Sequence, residues 1–236
     1  MLQTLLLSPH TCTCPHAGTV PAEWSSLTSL VLLVLSQDPG LTGTLPATWS
    51  SLTQLTTLTI SANPGLAGPL PPSWSALTAL ERLNVSADPG LMGTLPHSFS
   101  SLTSLVSLDI SDDAGLTGSL PDAWSALSSL THLNVGGDVG ITGQLPSAWS
   151  TLYSLALLNV SATAVTGALP AAWAALSSLQ TLDASSLGSV VGSIPPAWSA
   201  LTALTALSLA GNKGLTGGLP SSMASLSQLV SLDISG

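Results

Sequence analysis

The chain has 236 residues, enough for one or two ordinary domains, and 45% of them are hydrophobic, so a sizeable core can form. Only Arg82 and Lys213 are basic against eleven Asp and Glu, and a net charge of -9 neither neutralises a phosphate backbone nor favours an anionic membrane surface. Charged residues make up 6% of the chain against about a quarter in an ordinary domain, so Ser, Thr, Gly, Asn and Asp must form the polar surface.

In chain order, Met1 to Leu7 lacks a basic lead and holds only a short Leu run, too little for a secretory leader. Nowhere is there an apolar run of about eighteen residues, so no spanning helix is expected. Leu2, Leu5 and Leu7 already fit an L-x-x-L-x-L frame. His10, Cys12, Cys14 and His16 follow, all possible zinc ligands. A C-x-C pair is tighter than the usual spacing of structural zinc cysteines and too short for a relaxed disulfide, so no metal is assigned. Free thiols, or pairing with cysteines of a missing cap, are expected there.

From Pro21 onward a repeat takes over, and a fixed period must be read before anything else. Trp24, Trp49, Trp74, Phe99, Trp124 and Trp149 advance in steps of 25; Trp173 follows after 24, and Trp198 and Met223 resume the step of 25. Pro21, Pro46, Pro71, Pro96, Pro121, Pro146, Pro170, Pro195 and Pro220 keep the same beat. Within a unit, Leu55, Leu58 and Ile60 mark a short strand, and Asn63-Pro64-Gly65 stops it. Leu70-Pro71 is extended because a residue before proline avoids the helical region. Ser73 to Leu77 has the spacing of one 3₁₀ or helical turn on the outer side. One such coil cannot bury its own Leu face, so coils must stack on a shared core.

The frame L-x-x-L-x-L-x-x-N followed by L-x-G-x-L-P resembles the plant-type extracellular leucine-rich repeat. The Trp-bearing unit LNVSATAVTGALPAAW, Leu158 to Trp173, is similar to repeats of trypanosomatid surface antigens and of green-algal and other protist proteins. The resemblance implies an α/β-type solenoid: a right-handed superhelix with a parallel concave β-sheet and short extended or 3₁₀ segments on its convex side. It spans residues 1–236 as a single domain: a partial, irregular first repeat over 1–21, then about nine repeats of 24–25 residues. Both ends fall in mid-repeat and neither shows a polar capping unit, so the chain is expected to be a fragment, a truncated gene product or one part of a larger array.

The recurrent positions sort into rows. The Trp row is read as core filling rather than a ligand platform, with each indole N–H needing a carbonyl partner from a neighbouring coil. The position after the strand holds Asp38, Asn63, Asp88, Asp113, Asp138, Thr163, Leu187 and Asn212. Asn can donate and accept along a stack, whereas ionised Asp only accepts. Asp88, Asp113 and Asp138 are expected to raise one another's pKa across neighbouring coils. A calcium ion at these carboxylates and a plain turn-forming role, capping adjacent N–H groups, both stay open. Leu187 and the short unit mark an irregular stretch from about 161 to 192.

The concave centre row reads Val34, Thr59, Asn84, Asp109, Asn134, Asn159, Asp183, Ser208 and Asp233, and its flank reads Leu32, Thr57, Arg82, Ser107, His132, Leu157, Thr181, Ala206 and Ser231. Solenoids usually bind on this face. Its chemically richest patch is Glu81, Arg82, Asn84, Asp109, His132 and Asn134, the candidate site for a peptide or sugar. Asn84-Val85-Ser86 and Asn159-Val160-Ser161 fit the N-glycosylation pattern, making Asn84 and Asn159 possible acceptors on a secretory route. No nucleophile elbow or phosphate-cradling loop occurs, so the chain reads as non-enzymatic, without cofactor.

The expected function is recognition of a protein or glycan, extracellular or at the cell surface, with no nucleic-acid partner. The alternatives are a cytoplasmic scaffold repeat of cytoskeleton or cilium, and a fragment of a receptor-like kinase ectodomain.

Overall fold

A computed structural model describes residues 4–7 and 18–236; His10, Cys12, Cys14 and His16 lie outside the described residues. Each coil contributes one strand to a ten-stranded parallel sheet, in chain order: Thr4–Leu7, Leu32–Ser36, Thr57–Ser61, Arg82–Asn84, Ser107–Asp109, His132–Asn134, Leu157–Asn159, Thr181–Asp183, Ala206–Ser208 and Ser231–Asp233. The register pairs equivalent positions throughout, so Leu58 faces Leu83 and Leu83 faces Leu108. Side chains alternate across a strand. One row, including Leu33, Leu58, Leu83, Leu108, Leu133, Leu158, Leu182 and Leu207, is therefore buried, while the rows read as concave stay accessible.

After the strand, each coil crosses a turn and an extended segment ending at proline, then enters a five-residue 3₁₀ turn such as Ala47–Ser51. Proline cannot donate, but its carbonyl starts a run of i to i+3 bonds. Trp49 N donates to Pro46 O, Leu52 N to Trp49 O and Leu55 N to Leu52 O. That spacing turns Trp49, Leu52 and Leu55 inward together, and all three are fully buried.

The extended segments do something the sequence reading left out: they pair. Gly18–Thr19, Leu41–Thr44 and Gly65–Ala67 form one small parallel sheet, Met92–Thr94, Gly115–Ser119 and Ile141–Thr142 a second, and Thr166–Ala168 with Ser189–Val191 a third. Single bridges at Gly68 with Leu91 and at Gln144 with Thr166 link them into a nearly continuous ribbon. Gly90 enters this ribbon so closely that an added Cβ would collide with the carbonyl oxygen of Leu66.

The 24-residue unit does not interrupt the main sheet, since Leu157–Asn159 pairs with Thr181–Asp183 in the common register. The missing residue is absorbed in the turn. Trp173 Nε1 still reaches Pro146 O at 2.8 Å, as its neighbours reach their own prolines. Leu187 interrupts the ladder as expected, having no side-chain acceptor for Thr163 N, and the ladder resumes where Leu187 N donates to Asn212 Oδ1.

Candidate functional site

The Trp row is core. Trp49, Trp74, Trp124, Trp149, Trp173 and Trp198 are buried, and their indole N–H groups donate to Pro21, Pro46, Pro96, Pro121, Pro146 and Pro170 of the preceding coil at 2.8–3.1 Å. The rings stack at centroid separations of 6.0–6.5 Å. No surface remains on these buried rings for a ligand.

The ladder differs from the expected local turn cap. Asp88 Oδ1 accepts from Asn63 N at 2.6 Å, Asp113 Oδ1 from Asp88 N at 2.6 Å and Asp138 Oδ1 from Asp113 N at 2.8 Å, so each side chain ties down the coil before it. The expected mutual raising of their pKa is present but is a minor cause. Burial is the largest cause for all three, lifting Asp88 to about 7 and Asp113 and Asp138 to about 8. Neighbouring carboxylates add to the rise at Asp113 and Asp138 only. Among the described residues no group of three or more His, Cys, Asp or Glu is placed to hold a metal ion.

The concave patch is assembled as the register predicts. Arg82, Ser107 and His132 are direct neighbours in one row, and Asn84, Asp109 and Asn134 in the next. Arg82 and His132 are exposed, Glu81 is exposed just before its strand, and the three centre-row residues are half-buried. The centre row has a structural duty that sequence reasoning missed. Asn84 Oδ1 accepts from Ser86 N and Oγ, Asp109 Oδ1 from Ser111 N and Oγ, and Asn134 Oδ1 from Gly136 N. An Asx two residues before Ser or Gly was the available signal. What this row can offer a ligand is therefore the other atom of each group: Nδ2 of Asn84 and Asn134, and Oδ2 of Asp109.

Thr131 is the second partner that escaped the sequence reading. Its Oγ1 donates to Val106 O at 3.0 Å and lies 2.7 Å from His132 Nδ1. With the hydroxyl proton directed at Val106, Thr131 oxygen accepts from Nδ1–H, so the neutral ring presents Nε2 outward as an acceptor. The patch then combines a fixed cation, two amide donors and two acceptors on three adjacent strands. Asn159 continues the centre row, with Oδ1 accepting from Ser161 N at 2.9 Å. Both Asn84 and Asn159 are half-buried.

No protein-family model and no curated protein matches the chain. Solved structures do. The ectodomain of the Arabidopsis receptor kinase HAESA, bound to the peptide hormone IDA and a co-receptor, is 27% identical over 92% of this chain and 36% of that one, with a TM-score of 0.84. A plant ice-binding protein is 27% identical over 86% of this chain and 71% of that one, with a TM-score of 0.67. An internalin of Listeria monocytogenes, 22% identical over 94% of this chain and 59% of that one, shares the fold at a TM-score of 0.74. The chain spans under half the length of the plant receptor ectodomains it matches. No helix among the described residues is long and apolar enough to cross a membrane. The stacked parallel strands, 3₁₀ turns and inter-coil ladder make this chain a leucine-rich-repeat solenoid of the kind found in ligand-binding ectodomains.

Proposed function

We propose that the chain is a non-enzymatic recognition module that takes an extended peptide across the strands bearing Arg82, Asp109 and His132. The observation that carries this reading is the row of exposed Arg82 and His132 on either side of half-buried Ser107, lying in register beside polar groups whose inner atoms are fixed by turns. Fixed side chains lose little entropy on binding. Arg82 supplies a fork for a carboxylate of the ligand, and His132 Nε2 an acceptor. The setting we propose is cell-surface or extracellular, in keeping with the receptor ectodomains that share the fold, and the Trp-bearing units suggest a relation to protist surface repeats. A glycan chain fits the same hydrogen-bonding groups less well, because the Arg82 charge then has no anion to pair with.

The test is selection of a random peptide library on the immobilised chain. Selected peptides should carry an acidic residue and lose on the order of tenfold to a hundredfold in affinity against Arg82→Ala, with a smaller loss against His132→Ala. Peptides that bind both variants as well as the parent would refute the site.

A second reading has its own observation. Thr42, Thr117, Thr142, Thr166 and Thr216 are exposed at one recurring position on the ribbon of extended segments, held elsewhere by Ala67, Met92 and Val191, and each Oγ1 donates to a glycine carbonyl of the preceding coil at 3.1–3.3 Å. A rigid, uncharged Thr run on consecutive coils, as at Thr117, Thr142 and Thr166, is suited to an ordered water surface, and we propose ice as its ligand. The measurement is thermal hysteresis and recrystallisation inhibition; Thr142→Lys should abolish both, and an inactive parent chain ends this reading.

A further inference from the structure

We infer that the coils carrying Asp88, Asp113 and Asp138 are held together by protons: each carboxyl is protonated in the folded solenoid and donates its O–H to a backbone carbonyl of the preceding coil, making the stack an acid-stabilised device that loosens as the medium turns alkaline.

The geometry starts from the Asn positions of the same ladder. Asn63 Oδ1 accepts from Asp38 N at 3.0 Å, while its Nδ2 donates to Leu35 O at 3.1 Å. Asn212 repeats the pattern, with Oδ1 accepting from Leu187 N and Nδ2 donating to Ala184 O at 2.7 Å. In both, the amide nitrogen faces the carbonyl 28 residues earlier. Asp88, Asp113 and Asp138 place Oδ1 on the same kind of acceptor duty, each holding the N–H 25 residues earlier. A carboxyl has the planar shape of an amide, so its Oδ2 falls where Asn keeps nitrogen. The equivalent carbonyls are those of Ile60, Val85 and Ile110.

Those Oδ2 atoms are buried and have no hydrogen-bond donor among the described residues. An ionised oxygen there would face a carbonyl oxygen, two acceptors without a proton between them. Burying it without a donor is costly, and neutralisation is the ordinary remedy. A protonated oxygen makes the bond that Asn makes. The charged groups that bear on the three carboxyls are all of one sign: Asp109 at a strand end, Asp112 in a turn, and the ladder carboxyls themselves. None of them supplies a cation to hold the ionised form. The folded-state values of about 7 to 8, against 3.8 ordinarily, agree with the geometry.

The sign follows from linkage. The folded state binds these protons more tightly than the unfolded state, so their stabilisation is complete below about pH 4 and is lost as pH rises towards about 8. With up to three protons released on unfolding, the folding constant would fall at most about a thousandfold per pH unit inside that window. The inference does not depend on the peptide reading, although the three turns follow directly on the strands bearing Arg82, Asp109 and His132. It suits a chain that works in an acidic medium.

The experiment compares urea unfolding of the parent chain and of the triple variant Asp88→Asn, Asp113→Asn and Asp138→Asn at pH 5, 7 and 9. The parent midpoint should fall steeply with pH. The variant, whose amides imitate the protonated carboxyls, should hold nearly the same midpoint throughout and exceed the parent at pH 9. A variant as pH-sensitive as the parent, or a parent with a flat profile, overturns the inference. Infrared spectroscopy of the parent gives an answer even if the variant does not fold. A carboxylic-acid C=O band should persist at pH 6 in the folded chain and vanish on unfolding, and its absence from the folded chain overturns the inference equally.

Discussion

Replacing Trp149 separates the two readings of the aromatic row and sets a number on each. The side chain is fully buried, stacked on Trp124 at 6.3 Å and on Trp173 at 6.5 Å, and its Nε1 donates to Pro121 O at 3.0 Å. Burial of roughly 200 Å² at about 25 cal/mol per Å² gives about 5 kcal/mol, and Trp→Ala changes in cores cost about 3–5 kcal/mol. Trp149→Ala is therefore expected to cost about 4 kcal/mol. Trp149→Phe should be far milder. Pro121 O also accepts Trp124 N at 3.1 Å, so it keeps one partner when the indole N–H goes. Phe99 occupies the same place in its own coil without exposure, while Pro71 O still accepts Trp74 N at 3.0 Å. The expected cost of Trp149→Phe is about 1–2 kcal/mol, one hydrogen bond and some lost contact. For a chain of this length that is a fall in Tm of about 2–8 °C, against about 8–16 °C for Ala. Urea unfolding followed by far-ultraviolet circular dichroism measures both. An Ala variant within about 1 kcal/mol of the parent would refute the core assignment. A Phe variant as damaged as Ala would show that Phe99 is no guide to its neighbours.

Three further outcomes follow from local geometry. Gly90→Ala is expected to cost more than about 2 kcal/mol, because its Cβ would run into the Leu66 carbonyl and the backbone would have to move; Gly218→Ala, whose added Cβ meets nothing within 4 Å, should stay within about 0.5 kcal/mol by the same urea assay. Asn212→Ala removes three buried bonds, to Leu187 N, Ala184 O and Leu209 O, and should lower stability by about 2–4 kcal/mol, with faster amide exchange at Leu187 as the local readout. Asn159 is expected to stay unglycosylated when the chain is secreted from eukaryotic cells, since its Nδ2 lies only 2.6 Å from the site of a Cβ on Gly136. Peptide mass mapping decides it: a glycan at Asn159 refutes that packing, and one at Asn84 counts against a ligand on the centre row.

The period, the strand register and the Trp core were legible because one pattern recurs and each unit corroborates the others. The features that escaped are those in which two coils act together. "GLTG" before a proline reads alone as a bend, and only its stacked neighbour turns it into a strand. The same holds for the left-handed residues. Gln37, Ala62, Ala87, Asp112, Ala162 and Ser186 all have φ between 52° and 61°, a conformation costing a side-chain-bearing residue about 1–2 kcal/mol. Their N–H groups donate to the following coil, from Gln37 to Ser61 O, Ala62 to Ser86 O and Asp112 to Gly136 O. An inter-coil hydrogen bond offsets the strain, and no single-coil pattern reveals it. Gly137 and Gly211, at the equivalent position, were the available hint. In the candidate site, the rows were legible from the alternation of the strand. The duties of Asn84, Asp109 and Thr131 were not, because hydrogen bonds to neighbouring backbone decide which atom of each polar group the fold takes.

The shortage of charge has the same origin. Ser51 Oγ donates to Ser25 O, Ser73 Oγ to Ala47 O, Ser98 Oγ to Pro72 O, Thr151 Oγ1 to Ser125 O and Ser225 Oγ to Ser199 O. Each hydroxyl closes a carbonyl of the coil before it, a contact that the long, flexible side chains of Lys and Glu would make only at greater entropic cost. A composition that looks featureless is thus the polar half of the stacking. It follows that periodic residues answer to the neighbouring coil, whereas a residue that breaks the period without a packing role is available for something else. Arg82 and His132 break it on the same row, two coils apart, with Ser107 between them. In a chain whose remaining polar surface is largely tied to its own backbone, that pair is what singles out the strands on which we propose a peptide binds.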